Sequence, residues 1–170
     1  MTAFASAYIV LARKHLTDRI ERIRHCLGQL DDEQVWWRPH ASMNPVGNIL
    51  LHLCGNLRQW IVSGVSGVPD TRDRPAEFAE RGPIPRDELI RRLEAVAAEA
   101  DAALAALDEA RLLEPRRIQG FDETVLSAIW GSLEHLSGHV QEIVYITRLQ
   151  LDDRYRFAWQ PETPEQGAPA

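Results

Sequence analysis

The chain has 170 residues, of which 45% are hydrophobic and 26% charged, with a formal net charge of −6. That length suits a single globular domain with a real core, and the acidic balance excludes a nucleic-acid backbone as the main partner, which needs a clustered basic surface. Cys26 and Cys54 lack the spacing of a disulfide framework or a zinc finger, and with neither a signal core nor a long apolar run the expected location is the cytoplasm, with no membrane partner.

Leu16, Ile20, Ile23, Leu27 and Leu30 recur at steps of four and three, which predicts a first helix over about residues 4–30. Arg13, Lys14, Arg19, Arg22 and Arg24 crowd this segment, but Asp18 and Glu21 interrupt them, as on a solvated face. Over residues 33–48, Pro39, Asn44-Pro45 and Gly47 bring turn chemistry, and Trp36-Trp37 reads as a pair of packing aromatics. A second helix is expected from near Val46 to between Gly64 and Gly67, with Ile49, Leu50, Leu53, Leu57, Trp60 and Ile61 on its core face.

Residues 64–85 form a connection rich in charge, Gly and Pro, long enough to serve as a lid. Within it Phe78 is expected to anchor the loop, and Arg72 and Arg74 to bring positive charge to the mouth of a pocket. A third helix opens at Pro85, with Asp87 and Glu88 favouring its dipole and Leu89, Leu93, Val96, Ala100, Leu104 and Leu107 as its buried stripe. Gln119-Gly120 interrupts, and a fourth helix is expected over about residues 123–151, where Gly131 and Gly138 would allow close helix approach. No strand alternation of useful length appears, so the expected fold is all-α, a four-helix bundle over residues 1–152 with a long crossover loop between helices two and three. Residues 153–170, with Pro161, Pro164, Gly167 and Pro169, read as a weakly ordered tail.

The chemistry lies in the histidines. His135 and His139 stand four residues apart, so both imidazoles leave one face of the fourth helix, on its buried half. On the second helix, His52 sits about 110° from the centre of the apolar stripe, at about 100° per residue, on a flank shared with Asn56, Gln59 and Ser63. Three histidines converging inside a bundle would hold a divalent metal and leave positions open for water or substrate. His15 and His25 lie on the charged face of helix one and His40 in a turn, and these three read as ordinary hydrogen-bonded histidines. Cys54 points away from His52, which argues against a thiolate ligand. Glu142, one turn past His139, can hydrogen-bond a ligating imidazole or act as a base, with an ordinary surface glutamate as the alternative.

The chain resembles the DinB-like superfamily of metal-binding four-helix bundles over about residues 5–151. The segments that carry the resemblance are Glu33-Gln-Val-Trp-Trp-Arg-Pro, Asn48-Ile-Leu-Leu-His-Leu-Cys-Gly-Asn-Leu-Arg-Gln-Trp-Ile and Arg72-Asp-Arg-Pro-Ala-Glu-Phe. Ile118-Gln-Gly-Phe-Asp-Glu-Thr and Glu134-His-Leu-Ser-Gly-His complete the set. The resemblance implies a metal triad of His52, His135 and His139, with zinc or nickel as the metal, and a homodimer. Related branches include thiol S-transferases that use bacillithiol or mycothiol. Where the resembling branch reads x-Gly-Gln-Ile after the second histidine, this chain has Val140-Gln141-Glu142-Ile143, which sets a carboxylate beside the site.

The expected function is therefore that of a metal-dependent S-transferase joining a low-molecular-weight thiol to a small electrophile. The metal would lower the thiol pKa, and Arg72 and Arg74 would bind an anionic thiol. Two alternatives stay open: a hydrolase using metal-bound hydroxide with Glu142 as base, and a non-catalytic metal-binding stress-response protein.

Overall fold

The computed structural model of the chain describes residues 3–160. Four long helical rods form a bundle. The first, α1 (Ala3–Leu27), buries Leu16, Ile20, Ile23 and Leu27 along one stripe. A short helix, α2 (Asp32–Trp36), follows where sequence pattern gave only turn chemistry. It is held by a capping box in which Asp31 accepts from the Gln34 backbone and the Gln34 side chain accepts from Asp31 N–H.

The second rod starts with α3 (Val46–Leu57), widens into a π-helical segment (Arg58–Ser63) and closes with one turn, α4 (Gly64–Ser66), ending at Gly67 with φ of 83°. The connection to the third rod carries a short helix, α5 (Arg74–Ala79), whose N-cap Asp73 accepts from Ala76 N–H. The third rod is α6 (Arg86–Ala105), which buries Leu89, Leu93, Val96, Ala100 and Leu104. A 3₁₀ turn (Glu109–Leu113) then leads into a hairpin of β1 (Pro115–Ile118) and β2 (Phe121–Thr124). The last rod is α7 (Val125–Leu151).

That hairpin fills the interruption expected at Gln119-Gly120 and leaves the chain a helical bundle, with the fourth helix starting at Val125. Its register pairs Pro115 with Thr124 and Ile118 with Phe121. The two-residue turn Gln119-Gly120 has φ of 50° and 85°, the left-handed pair that matches the twist of the flanking strands. Thr124 ends the strand and caps α7 in the same step, accepting from Ser127 N–H.

The rods α1 and α3 each pack along both α6 and α7, which places α1 and α3 on one diagonal of the bundle. Their stripes meet in one continuous core, in which each fully buried Leu, Ile or Val contributes about 1.5–3 kcal/mol relative to exposure. Trp36 pins the connection to this frame: its indole N–H donates to Ile84 C=O at 2.9 Å. Its ring lies so close to Gly47 and Gly82 that a Cβ on either would stand within 3 Å of it. Gly82, with φ of 73°, is a residue this site requires.

Packing continues past residue 152. Tyr155 is buried against the ring of His25, and His25 Nε2 donates to Arg156 C=O at 2.6 Å. The start of the segment expected to be a loose tail is therefore part of the folded unit, while residues 161–170 of that tail lie outside the described residues. No helix among the described residues is long and apolar enough to cross a membrane.

Candidate metal centre

The i, i+4 spacing on α7 stacks His135 and His139 one turn apart, and α3 presents His52 to them. One ring nitrogen from each of the three lies within 4.8 Å of the others. Nε2 of His52 stands 2.8 Å from Nε2 of His135. Ring centroids are 5.1 Å apart for His52–His135, 5.2 Å for His52–His139 and 4.5 Å for His135–His139. His52 is buried and the other two are half-buried.

Two carboxylates settle which nitrogens face inward. Nδ1 of His52 is 3.0 Å from Oε2 of the buried Glu77, on α5. An ionised carboxylate only accepts, so Nδ1 carries the proton and Nε2 keeps its lone pair. Likewise Nδ1 of His139 donates to Glu142 Oε2 at 2.8 Å, which leaves its Nε2 as a free acceptor. Among the described residues only Glu142 bonds His139. Imidazoles that donate their outer N–H to carboxylates are the usual partners of a metal, oriented and made more basic by that bond.

Glu77 is itself held by Arg72. The guanidinium forks onto the carboxylate, Nε to Oε1 at 2.6 Å and Nη2 to Oε2 at 2.8 Å, and the Arg72 side chain is only 3% exposed. Arg72 Nη2 also approaches His52 Nδ1 at 3.0 Å. Both groups are donors there, so the contact follows from their sharing one carboxylate. Arg72 Nη1 donates to Gln59 Oε1 at 2.9 Å, and Gln119 in the hairpin turn donates to the same oxygen. This corrects the expectation for Arg72: it is a neutralised, buried support behind His52 and not a free cation at the pocket mouth.

Gly55, one turn after His52, makes room for that pair. A Cβ there would lie 1.9 Å from Glu77 Oε1 and 2.8 Å from Arg72 Nε. Asn48 secures α5 from the other side, donating to the carbonyls of Glu77 at 2.8 Å and Glu80 at 3.0 Å. Asn56 accepts from Ser132 Oγ at 2.9 Å and ties α3 to α7 next to the cluster. Sequence pattern alone singled out neither Glu77 nor Gly55. The available signal was Asp73-Arg-Pro-Ala-Glu, a capping residue followed by Pro and Glu, which marks a helix start.

Burial favours the neutral imidazoles. It pushes His135 down to about 4, aided by the neighbouring His139 and His52 and by Arg72 and Arg74. His52 is also lowered, chiefly by burial, with its Glu77 bond pulling the other way. Neutral imidazole is the form that binds a metal. The donor set, the tautomers of His52 and His139 and the neutral charge state thus fit a divalent ion held by three nitrogens.

Two hollows flank the histidines. One, of about 310 Å³, is bordered by His52 and His135 and lined by Asn56, Trp60, Arg74, Gln119 and Glu123. The other is an open groove along α7, lined by Gly131, Glu134, Gly138 and Glu142. A Cβ on Gly131 or Gly138 would meet nothing within 4 Å, so these glycines keep the approach to the histidines clear and serve no helix contact, contrary to expectation. Trp60, expected in the core, is half-buried at the hollow because the π-helical segment turns it there. Phe78 is half-buried with its ring 5.0 Å from that of His52, and the Arg74 guanidinium lies 5.0 Å above the Phe78 ring.

The other histidines are engaged elsewhere. His15 bonds Ser137 Oγ at 2.8 Å, His25 holds Arg156, and His40 bonds Ser42. Burial pushes the Cys54 thiol up to about 12, and it lines a separate groove beside Arg58.

Residues 3–162 match a family model described as "protein of unknown function (DUF1572)". Among solved structures, a conserved protein from Enterococcus faecalis superposes with a TM-score of 0.67 at 17% identity, covering 82% of this chain and 94% of its own. A DinB-like protein from Bacillus cereus ATCC 10987 gives a TM-score of 0.62 at 14% identity, covering 79% of this chain and 87% of its own. No curated protein matches this chain.

Proposed function

Since the chain belongs to the DUF1572 family and has the DinB-like fold, we propose that it is a divalent-metal protein that joins a small thiol to an electrophile. The observation that carries the proposal is the inward-facing triad of His52, His135 and His139, with two outer N–H groups fixed by Glu77 and Glu142 beside a hollow of about 310 Å³. Zinc or nickel suits three imidazoles, and when bound it would supply a positive charge that lowers the pKa of a thiol or water at neutral pH.

The protein's own residues would do the rest. Glu77, clamped by Arg72, holds the His52 ring in one tautomer and one orientation. Glu142 does the same for His139. Trp60 gives the hollow an apolar wall for an electrophile, with the Phe121 ring outside the hollow at 6.5 Å from it. In the reaction the thiol gives up its proton to solvent, its sulfur bonds the electrophilic carbon, and the leaving group departs with the electrons of the broken bond. The hydrolytic alternative is less well supported, because its base would be Glu142, which is engaged on the outer nitrogen of His139.

We also take the protein to be a homodimer. Leu11 and Trp130 are both exposed and line one apolar groove between α1 and α7, the kind of surface that pairing would cover. Light scattering reads the oligomeric state directly.

The test of the activity begins with elemental analysis of the purified protein. It continues with the metal-loaded protein, low-molecular-weight thiols and a panel of electrophiles, product being followed by mass. Stoichiometric metal with thiol-dependent product is the expected result. Stoichiometric metal without any product would leave a metal-binding protein and end the transferase proposal.

A further inference from the structure

We propose that the hollow beside His52 and His135 recognises a small zwitterion of the amino-acid type, with its carboxylate on Arg74 and its ammonium on Glu123. This deepens the thiol reading above and rests on it, since it names the charge pattern of the molecule whose sulfur meets the histidine cluster.

Arg74 and Glu123 come from separate segments, α5 and β2, yet line the same hollow of about 310 Å³. Among the described residues Arg74 has no carboxylate within ion-pairing reach, and its guanidinium lies over the Phe78 ring. Glu123 is half-buried, and among the described residues no cation lies within ion-pairing reach of it and its carboxylate accepts only from Ser127 Oγ. Most other arginines that flank the two hollows or the adjoining groove are paired: Arg72 with Glu77, Arg58 with Glu99, Arg92 with Glu88.

Two opposite charges left uncompensated across one cavity ask for a ligand with the complementary pair. A purely anionic ligand would satisfy Arg74 and be repelled by Glu123, and a purely cationic one the reverse. The size agrees with a molecule of amino-acid dimensions, and Asn56, Gln119 and Ser127 supply neutral polar groups around it.

The experiment compares three thiols on the zinc-loaded protein by isothermal titration, with retained metal checked by elemental analysis. L-cysteine carries both charges, cysteamine lacks the carboxylate, and 3-mercaptopropionate lacks the ammonium. L-cysteine is expected to bind about tenfold or more tighter than either, the scale of one charge-assisted hydrogen bond. Arg74→Gln should erase its advantage over cysteamine, and Glu123→Gln its advantage over 3-mercaptopropionate. Arg58→Gln, outside the hollow, should change neither.

Equal affinity for L-cysteine and either partial analogue in the unmodified protein would overturn the proposal, as would preferences untouched by both substitutions. L-alanine separates the two readings. If all three thiols bind alike and L-alanine does not, the thiol reading stands and the zwitterion proposal fails. If L-alanine binds as tightly as L-cysteine, with the same dependence on Arg74 and Glu123, charge recognition stands and the thiol reading fails.

Discussion

Glu77 Oε2 lies 3.0 Å from Nδ1 of His52, and this one contact determines which edge of the imidazole is free. The carboxylate belongs to a six-residue helix in the connection between the second and third rods, yet it sets the chemistry of a residue on the second rod itself. The connection is thus part of the candidate metal centre and not merely a cover over it.

Replacing Glu77 by Gln should weaken metal binding about 10–100-fold, the usual cost of losing a carboxylate behind a ligating imidazole. Glutamine can still accept from Nδ1–H, but it removes the negative charge and leaves Arg72 buried without its counter-ion. Competition with a chromogenic chelator measures the affinity. An unchanged value would mean that the Glu77–His52 contact serves only the loop.

Gly55→Ala should reproduce much of that loss without touching any polar group. Its new methyl would sit where Glu77 Oε1 now lies, 1.9 Å away, so the Arg72–Glu77 pair must leave the face of α3. Metal affinity should fall while the helical circular dichroism is retained, since alanine favours helix over glycine by about 1 kcal/mol.

Single alanine substitutions at His52, His135 or His139 should each abolish stoichiometric metal, because a three-nitrogen site has no spare protein ligand. The same substitution at His15, His25 or His40 should leave metal content unchanged. Elemental analysis decides both halves, and full metal in His135→Ala would remove the triad from consideration.

Acid should destabilise the metal-free protein in a particular window. His135 titrates at about 4 in the fold, below the ordinary histidine value of 6.5, so between these the unfolded chain binds more protons. Its contribution to stability is present above the ordinary value and is lost as pH falls through about 4. Urea midpoints of the chelated protein should therefore drop across this range, and the drop should be smaller in His135→Gln. Identical pH dependence for the two proteins would contradict the assignment.

Trp36→Ala should cost roughly 3 kcal/mol, near the lower end for a large aromatic because the ring is only part-buried. It should also loosen residues 80–85, which that ring clamps through Gly47, Gly82 and Ile84. Hydrogen exchange in this segment reads the second effect, and unchanged protection there would show that the connection is held by other contacts.

The histidine pair of α7 was legible because its spacing is a local matter: four residues on a helix always share a face. His52 was legible for a related reason, its place on a polar flank with Asn56 and Gln59, both of which are buried near the cluster. Glu77 was not, because its segment shows no apolar period and its role depends on folding back over residues 22 to 25 positions earlier. Arg72 misled for a complementary reason. An arginine in a charged, Pro-rich stretch reads as exposed, and only the fold shows a buried carboxylate waiting for it. The hairpin was missed because four-residue strands are too short to show alternation, although Gln119-Gly120 is a recognisable turn signal.

The π-helical segment at Arg58–Ser63 sets what changes of length the second rod tolerates. It accommodates one residue more than an α-helical turn would, so a single deletion there would restore regular winding at little local cost. Because the extra residue is what the wide turn absorbs, the deletion would leave the α-helical turns on either side in their present phase and act on the segment itself. Trp60 would leave the hollow and Gln59 its bond to Arg72, while His52 stayed in place. Variation among related chains should therefore spare the length of this segment even where its residue types drift.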